Sequence, residues 1–583
     1  MQETFPRVFG ASKQGERSER DDDADEPVLY DDEKTTLKIL VLGIPDWREP
    51  AYSYLTILVN ILLAVLTLDL VFRGPLLHPA QDLRFSRVGF VDTTSAKVLF
   101  REPDPAQLPV YAYLKAVSGR KWTTVDRVYY LDSDTDYTYP ITITGLEPET
   151  TYIYSLSNDL SGTFTTIPAP YSQAANTLTF LTSSCIKANF PYRPFSHSLS
   201  IHGFESLSKA LRSTSASFML FLGDFIYVDV PLRLSSSFKH YRSEYRRVYA
   251  SPSLSLPGIA SLPWYHTLDD HEIANDWSGG NDTAPFPAAS DPFIHYHVSV
   301  NPPVPPKSPS GPETNTTYFQ FTHGPASFFM LDTRRYRTAP EPQSSSSPKS
   351  PKLLYGSSRS SHSQPFESTH TMLGQAQLQC LLDFLSMPEP PHVHWKIIAS
   401  SVPFTKNWRF GTADSWGGFL QERSVILEAM HKAERDSGVR VVILSGDRHE
   451  FAAIRFPPPV VNFPPASPPT NTTAASDVVY DRTPASGPHE FSVGPLSMFY
   501  LPFRTFKQID GEDVSIKYIP NGNSKFGVID IKNLEGKGEQ RSLLKYSLWV
   551  DGKVEWEYTL TSPAPAYNGE QGRAWNRGYG LWS

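Results

Sequence analysis

Cysteine is almost absent from this sequence: Cys185 and Cys380 are the only two among 583 residues. A framework of several disulfides and a zinc site made of CxxC pairs are therefore excluded, because each needs more cysteines at closer spacing. A single disulfide between the two cysteines stays open as an alternative.

Basic stretches are lacking as well. The formal net charge is −8, and no part of the chain concentrates Lys and Arg into a stripe. Because nucleic acids are bound through such electrostatic surfaces, we expect no nucleic-acid-binding surface. Apolar residues, by contrast, make up 40% of the chain and aromatic residues 13%, which is enough for large globular cores.

The beginning of the chain combines a polar tail with a long apolar segment. Residues 1–50 are rich in acidic side chains, which predicts a disordered tail. Ala51 to Phe72 is a largely apolar run, and about 20 apolar residues are needed to cross a bilayer. It starts too far into the chain for an ordinary signal peptide. We interpret it as a single transmembrane anchor; the alternative is a buried core helix, because Asp69 would be costly in lipid.

The orientation of this anchor is not set by its flanking charges, which balance: Lys34, Lys38 and Arg48 on one side, Arg73, Arg84 and Arg87 on the other. Glycosylation sequons follow the anchor at Asn281, Asn315 and Asn471. We therefore expect a single-pass membrane glycoprotein with a lumenal or extracellular catalytic part.

Residues 82–168 predict a small all-β domain. Short strand-like runs are separated by turns, and Ile143 to Tyr154 has the strand-turn-strand pattern of an immunoglobulin-like or fibronectin type III sandwich. The predicted strands are Arg84 to Val91, Lys97 to Arg101, Val110 to Val117, Arg127 to Leu131 and Tyr139 to Ile143. This domain carries no catalytic constellation of its own, so we expect it to pack against the larger domain.

Residues 177–561 alternate strands with helix-length segments, which predicts an α/β layered core. Low-complexity insertions at about 344–364 and 457–484 are expected to be surface loops. Near the end of the chain, Asp551-Gly552 between two apolar runs predicts a hairpin. The predicted core strands are Thr177 to Leu181, Phe218 to Leu222, Ser327 to Leu331, Trp395 to Ala399 and Val441 to Leu444.

Acidic residues follow two of these strands directly. Gly223-Asp224-Phe225-Ile226-Tyr227 comes after one apolar run, and Ser445-Gly446-Asp447-Arg448-His449-Glu450 comes after another. Ligand sites in open α/β sheets lie beyond the carboxyl ends of the strands. A third cluster, Leu268 to Glu272, adds carboxylates and an imidazole, which are ligands of hard metal ions. Together the clusters predict a polynuclear metal centre.

The order of these motifs resembles the PhoD-like alkaline phosphatase family of the calcineurin-like metallophosphoesterases, over roughly Asp82 to Asp530. The resemblance implies an αββα sandwich, in which two mixed sheets lie between helices, preceded by a β-sandwich domain. The motifs that carry it are Thr182-Ser183-Ser184-Cys185, Gly223 to Tyr227, Asp269-Asp270-His271-Glu272, Asp332-Thr333-Arg334-Arg335-Tyr336-Arg337, Leu373-Gly374-Gln375-Ala376-Gln377 and Ser445 to Glu450.

The resemblance also implies metal ligands: Cys185, Asp224, Tyr227, Asp270, Asp447 and His449. Asp224 would bridge two metals. A thiolate and a phenolate are strongly donating anions, so Cys185 and Tyr227 favour Fe³⁺, and His449 would complete that shell. Asp270 and Asp447 stand where many relatives have less acidic ligands, which favours Ca²⁺ at the second site.

The activity implied is hydrolysis of phosphate monoesters or diesters by a hydroxide generated at the metals. His271 would stabilise the transition state or protonate the leaving group, and Arg448 and Arg334 would bind phosphate oxygens as bidentate forks. The alternatives are a narrower phosphodiesterase acting on a lipid or nucleotide, and a membrane-tethered module without catalysis. We expect a monomer whose partners are the phosphate ester substrate and the membrane.

Each residue also has a purely structural interpretation. Cys185 could be a small buried apolar residue, Asp224 a helix N-cap and Asp447 a turn residue. His271 and Glu272 could form a surface pair, and the two arginines could be exposed ion-pair partners.

Overall fold

The computed structural model describes residues 36, 38–304, 316–340, 370–460, 479–480, 487–534 and 541–563. Most of the predicted tail, the whole 344–364 insertion, most of the 457–484 insertion, and the sequons at Asn315 and Asn471 lie outside these residues. Residues 38–42, which the sequence analysis placed in the tail, are helical.

The chain divides into two compact units between Asp69 and Leu70. The first contains most of helix α1 (Pro50–Leu77), whose start is organised by Ser53: its hydroxyl donates to the Asp46 carbonyl and accepts from the Asp46 amide. The most apolar window of α1 has a mean hydropathy of 2.5 and only 6% of it is buried. By length and composition α1 can therefore cross a membrane.

A small all-β region opens the second unit. Its two antiparallel sheets, in the orders β1-β2-β5 and β4-β3-β6-β7, share a core of alternating apolar side chains that includes Val98, Ile141 and Tyr154. The predicted strand over Arg127 to Leu131 is wrong in its placement, because the ladder from β3 ends at the Val110–Val128 pair and Tyr129 and Tyr130 are exposed. The strands are β1 Phe85–Val91, β2 Ser95–Arg101, β3 Val110–Ala116, β4 Thr123–Val128, β5 Thr138–Thr144, β6 Thr151–Leu156 and β7 Ser161–Thr165.

Two larger sheets form the rest of the second unit. A six-stranded sheet has the order β10-β9-β8-β20-β21-β22, and a seven-stranded sheet has the order β11-β12-β13-β14-β18-β15-β19. Strands β16 and β17 pair with each other. The strands are β8 Thr177–Ser183, β9 Met219–Phe221, β10 Trp264–His266, β11 Phe319–His323, β12 Ala326–Met330, β13 Trp395–Ser400, β14 Arg440–Ser445, β15 Phe451–Arg455, β16 Pro459–Val460, β17 Val479–Tyr480, β18 His489–Ser492, β19 Val514–Ile519, β20 Lys525–Leu534, β21 Arg541–Val550 and β22 Lys553–Ser562.

Apolar side chains join these sheets to each other and to helices. Phe180 and Tyr546 of the six-stranded sheet share one fully buried cluster with Phe328 of the seven-stranded sheet. The outer face of the six-stranded sheet packs against α2 (Gly203–Leu211), α3 (Phe238–Tyr249) and α4 (Phe286–Tyr296). The outer face of the seven-stranded sheet packs against α5 (Gly374–Ser386) and α6 (Leu420–Ser437). The fold is therefore mixed α/β, as the sequence predicts.

The hairpin predicted at Asp551-Gly552 is confirmed, since β21 and β22 pair antiparallel from Val550 and Lys553 onwards. The parallel strands matter most for function. Strands β8 and β9 are parallel neighbours in the six-stranded sheet, and β14 lies between parallel neighbours in the seven-stranded sheet. The loops after them touch: a Cβ on Gly446 would lie 2.8 Å from Ser184 Cβ and 2.9 Å from the Leu222 carbonyl.

A buried carboxylate connects the small β region to the helices of the core. Asp136 is only 5% exposed and accepts hydrogen bonds from Arg246 Nη1 at 2.7 Å, Tyr296 OH at 2.6 Å and Arg101 Nη2 at 3.3 Å. Arg246 and Tyr296 belong to α3 and α4. This carboxylate therefore balances two buried guanidinium groups at the junction.

Replacing Asp136 by Asn should destabilise this junction, because two buried guanidinium groups would lose their counter-charge. Asn tolerates the left-handed backbone at this position (φ 50°). We expect the free energy of unfolding to fall by about 3–5 kcal/mol in denaturant titrations. The control is Asp134→Asn in the same loop, where the side chain is exposed. Equal stability of the two variants would contradict the proposed balance.

Candidate metal centre

Three of the predicted ligands stand at strand ends in an unusual backbone conformation. Cys185, Asp224 and Asp447 have φ values of 61°, 58° and 65°. Left-handed backbone is unfavourable for residues with a Cβ and is retained where the surroundings enforce it, often at functional sites. The three turns aim their side chains at one place.

The first group of predicted ligands is held together by direct contacts. Cys185 Sγ lies 3.2 Å from Asp224 Oδ2, and Tyr227 OH lies 3.0 Å from the same oxygen. Tyr227 OH is also 3.0 Å from His449 Nε2. Burial raises the pKa values of Cys185, Asp224 and Tyr227 well above their usual ranges. Burial lowers the pKa of His449 to about 3, so its imidazole is neutral and able to donate a lone pair.

The second group is made of carboxylates. Oxygens of Asp269, Asp270 and Asp447 lie within 4.8 Å of one another, as do ligand atoms of Asp224, Asp270 and His271. Burial raises the pKa of Asp447 to about 6. Asp270 is oriented by two backbone amides, with His271 N donating to its Oδ1 at 3.0 Å and Asp276 N to its Oδ2 at 2.6 Å.

This donor set fits metal ions. Asp224 Oδ1 and Asp269 Oδ2 are buried and make no hydrogen bond within the described residues, whereas Asp447 Oδ2 lies 3.1 Å from Arg448 Nε in an ion pair. Unsatisfied buried carboxylate oxygens are unfavourable, and a cation held among them would remove that penalty. The combination of thiol, phenol, imidazole and carboxylate donors suits more than one type of ion.

His271 sits beside these carboxylates and contacts a residue that sequence reasoning missed. Its Nδ1 lies 2.7 Å from Asp229 Oδ1, and its ring stacks on Tyr227 with centroids 4.2 Å apart. Burial alone would lower the pKa of His271, but Asp270, Asp224 and Asp229 together raise it well above its usual value. Asp229 follows Asp224 by five residues and lies two residues after the Gly223 to Tyr227 motif, a spacing that could have suggested it.

Glu272 has a structural role, so the interpretation of His271 and Glu272 as a surface pair is wrong. Its carboxylate is 1% exposed and accepts hydrogen bonds from the backbone amides of Asp224 (3.0 Å), Asp269 (2.9 Å) and Phe225. Gly223 allows this close approach, because a Cβ there would lie 2.3 Å from Asp269 Cβ. One carboxylate thus fixes two of the strand-end turns against each other.

Arg334 and Arg448, the two arginines predicted to bind phosphate, have different surroundings. Arg334 is fully buried: its Nε donates to Asp269 Oδ1 at 2.6 Å, while Nη1 and Nη2 donate to Asp414 at 2.6 and 2.8 Å. The guanidinium group of Arg334 therefore binds protein carboxylates, whereas the sequence analysis expected it to bind phosphate oxygens. Arg448 is partly exposed, donates from Nη2 to the Gly411 carbonyl at 2.8 Å and lies 3.1 Å from Asp447 through Nε.

Asp414 is the other residue that sequence reasoning missed as part of the centre. It lies in the turn Thr412–Asp414, 80 residues from Arg334 in the chain, and nothing local marks it as the partner of Arg334. Burial opposes its charge, but Arg334 and Arg337 hold the pKa of Asp414 well below its usual value. Both cysteines are free, so the disulfide alternative is wrong: Cys185 is in the centre and Cys380 is packed in α5.

Comparison with known proteins supplies the family. Residues 180–537 match the family described as PhoD-like phosphatase. The chain belongs to this family. The prediction from the motif order is therefore confirmed, and the matched region contains every predicted ligand.

Two individual relatives are similar to the chain. Alkaline phosphatase D of Bacillus subtilis is 27% identical over 339 residues, which is 52% of this chain and 52% of that protein, so the match spans about half the length of each. A solved structure titled "Structure of PhoD" aligns with 82% of this chain and 88% of its own, at 20% identity and a TM-score of 0.53. At this identity the second likeness establishes the mixed α/β fold.

Replacing Glu272 by Gln should weaken metal binding without unfolding the protein. The three backbone N–H groups now donate to the Glu272 carboxylate. The side-chain NH₂ of Gln would face one of these donors, so that hydrogen bond would be lost. Changes in such supporting residues typically reduce metal affinity by about 10- to 100-fold. The measurement is metal content by mass spectrometry after dialysis against graded chelator. Glu555→Gln, at an exposed position of β22, is the control. Equal metal retention in both variants would show that Glu272 does not hold the turn at Asp224 in place for metal binding.

Proposed function

We propose that the protein is a metal-dependent phosphoric ester hydrolase that cleaves phosphate monoesters, diesters or both. The observation that carries this proposal is the convergence of Cys185, Asp224, Tyr227, Asp447 and His449 at adjoining strand ends, with buried carboxylate oxygens left unpaired. Membership of the PhoD-like phosphatase family supports the same reaction class.

The two groups of donors suggest two kinds of ion. We assign Fe³⁺ to Cys185, Tyr227 and His449, and Ca²⁺ to Asp270 and Asp447, with Asp224 between them. Bound ions of this kind lower the pKa of water and neutralise charge on phosphoryl oxygens. The shared position of Asp224 is supported by its contacts to Cys185 and Tyr227 and by its proximity to Asp270.

The residues around the metals complete the proposed mechanism. Protonated His271, oriented by Asp229, donates its proton to the leaving oxygen; its side chain is 17% exposed and so is within reach of substrate. Arg448 binds the phosphate oxygens. Arg334 acts as a positioning residue, because it holds Asp269 and Asp414 rather than facing solvent.

The remaining assignments belong to the same proposal. Residues 82–168 form an immunoglobulin- or fibronectin-like domain, and residues 177–561 form a metallophosphatase αββα sandwich. Residues 51–72 form a single transmembrane anchor, with the catalytic part lumenal or extracellular. Asn281, the sequon within the described residues, is exposed, as glycosylation requires. The protein is a monomer in this proposal.

Cys185→Ala tests the metal and the activity together. Loss of the thiolate should abolish a visible charge-transfer band and most of the turnover, because iron would lose a strong donor. Full-length protein in detergent would be assayed for metal content, visible absorption, and hydrolysis of p-nitrophenyl phosphate and bis(p-nitrophenyl) phosphate. Cys380→Ala removes the other cysteine and serves as the matched control.

The same assay separates the alternatives. Exhaustive removal of calcium should abolish hydrolysis, and calcium should restore it better than zinc, because the second site is rich in oxygen donors. Full turnover without calcium would refute that assignment. A metal-free protein that hydrolyses neither substrate would instead favour the non-catalytic, membrane-tethered module.

The membrane orientation can be tested by glycosylation. Endoglycosidase treatment of the full-length protein should increase its mobility, because the sequons follow the anchor. Asn281→Gln should remove part of that shift, with Asn275→Gln, which is not in a sequon, as the control. A protein without any shift, whose catalytic domain is cut by protease added to the cytosolic face of intact microsomes, would contradict the lumenal placement.

A further inference from the structure

Two exposed segments leave directly from the proposed iron site. Phe190 and Val230 pack against the small buried cluster of Cys185, Tyr227 and Met498. The chain then continues to Phe195, which is 101% exposed, and to Leu232 and Leu234, which are 69% and 71% exposed. Large apolar side chains thus reach solvent a few residues from metal ligands.

Two further segments approach the centre from the side of Arg448. The Gly411 carbonyl accepts a hydrogen bond from Arg448, and the Phe499 ring lies 5.3 Å from the His449 ring, edge to face. Phe410 and Phe503, on these segments, contact each other with ring centroids 5.8 Å apart and are 58% and 53% exposed. The apolar rim, defined as Phe195, Leu232, Leu234, Phe410 and Phe503, therefore lies on four segments that contact the centre.

Arginine is interleaved with the apolar rim in the sequence, and acidic residues lie just outside its four segments: Asp229 precedes Val230, and Glu205 lies 3.8 Å from Arg193. Segments 190–195, 230–234, 408–411 and 499–504 contain no Asp or Glu, although the whole chain has a net charge of −8. Each contains one arginine next to or near a rim residue: Arg193, Arg233, Arg409 and Arg504. Apolar side chains flanked by cations are typical of surfaces that enter the headgroup region of a bilayer.

Helix α1 gives a second, independent indication that the apolar rim lies near a membrane. Arg73, in its last turns, donates from Nη1 to the Pro194 carbonyl at 2.7 Å and from Nη2 to the Ser196 carbonyl at 2.9 Å. These carbonyls flank Phe195. The end of the one described helix that can cross a membrane is thus bonded to a rim segment.

We propose that the apolar rim rests on the surface of the membrane that α1 crosses, and that the substrate is the phosphate ester of a phospholipid in that surface. This rests on the proposed hydrolase function and narrows its substrate class. Water would form a new P–O bond, one ester P–O bond would break, and the leaving alkoxide would take up a proton.

The first test compares an interfacial with a soluble substrate. Full-length protein in mixed micelles would be assayed on phosphatidylcholine and on bis(p-nitrophenyl) phosphate. Replacing all five rim residues by Ser should reduce kcat/KM for phosphatidylcholine by about tenfold or more, because apolar surface no longer enters the interface. Hydrolysis of the soluble diester should not change. The control replaces Tyr129, Tyr130 and Val554 by Ser, which are 66%, 72% and 46% exposed; the two tyrosines follow β4 and Val554 lies in β22.

The second test does not depend on activity. Phe195→Cys can be labelled with an environment-sensitive fluorophore, since Cys185 and Cys380 are both buried. In nanodiscs of phosphatidylcholine and phosphatidylserine the emission should shift to the blue and be quenched by lipids that carry a spin label on the acyl chain. A label at Tyr130→Cys should show neither change.

The outcomes distinguish a failure of the proposed hydrolase function from a failure of the proposed membrane surface. Hydrolysis of neither substrate by the wild type would overturn the hydrolase function and the substrate with it. Hydrolysis of the soluble diester with an unshifted, unquenched probe at position 195 would overturn the membrane surface while the hydrolase function stands. A rim variant that keeps full phosphatidylcholine hydrolysis but loses binding to a single-stranded oligonucleotide would show a nucleic-acid surface instead and overturn the lipid assignment.

Discussion

The compensation of buried negative charge is the constraint on which the rest of the structure depends. Asp224, Asp269, Asp270 and Asp447 converge where the loops of two sheets meet, in surroundings that raise the pKa values of Asp224, Asp269 and Asp447. Arg334 offsets part of this charge through Asp269 and Asp414. Two of these carboxylates, Asp224 and Asp269, each keep a buried oxygen without a hydrogen bond within the described residues, and a bound cation would supply the missing counter-charge.

Backbone geometry makes that convergence possible. The strand-end turns take left-handed conformations, and glycines such as Gly223 and Gly446 let neighbouring loops approach to distances that a Cβ would prevent. Glu272 then ties the turn at Asp224 and Phe225 to Asp269 through three backbone amides. Rigid turns of this kind keep ligands in place before a metal binds, which reduces the ordering that binding requires.

The candidate metal centre is surrounded by exposed apolar side chains. Exposed apolar residues with arginines near them in the sequence lie on segments that contact the candidate ligands, and one of these segments is hydrogen-bonded to the end of an apolar helix. A catalytic centre opening toward a lipid surface would meet phosphate esters whose apolar part stays in the membrane. Contact with lipid would also explain why the side chains of the apolar rim are exposed instead of buried in the protein.

Local chemistry in the sequence determined the family, the α/β alternation, the apolar helix and the set of candidate ligands, because short motifs at strand ends are readable without knowing what they touch. Asp229 and Asp414 were not recognised, and Arg334 was assigned to phosphate, because a side chain's partner depends on segments far apart in the chain. The pairing of Arg334 with Asp414, 80 residues away, arises only when the two loops pack together. The tertiary structure alone decided which charged groups neutralise each other and which are left to bind ligands.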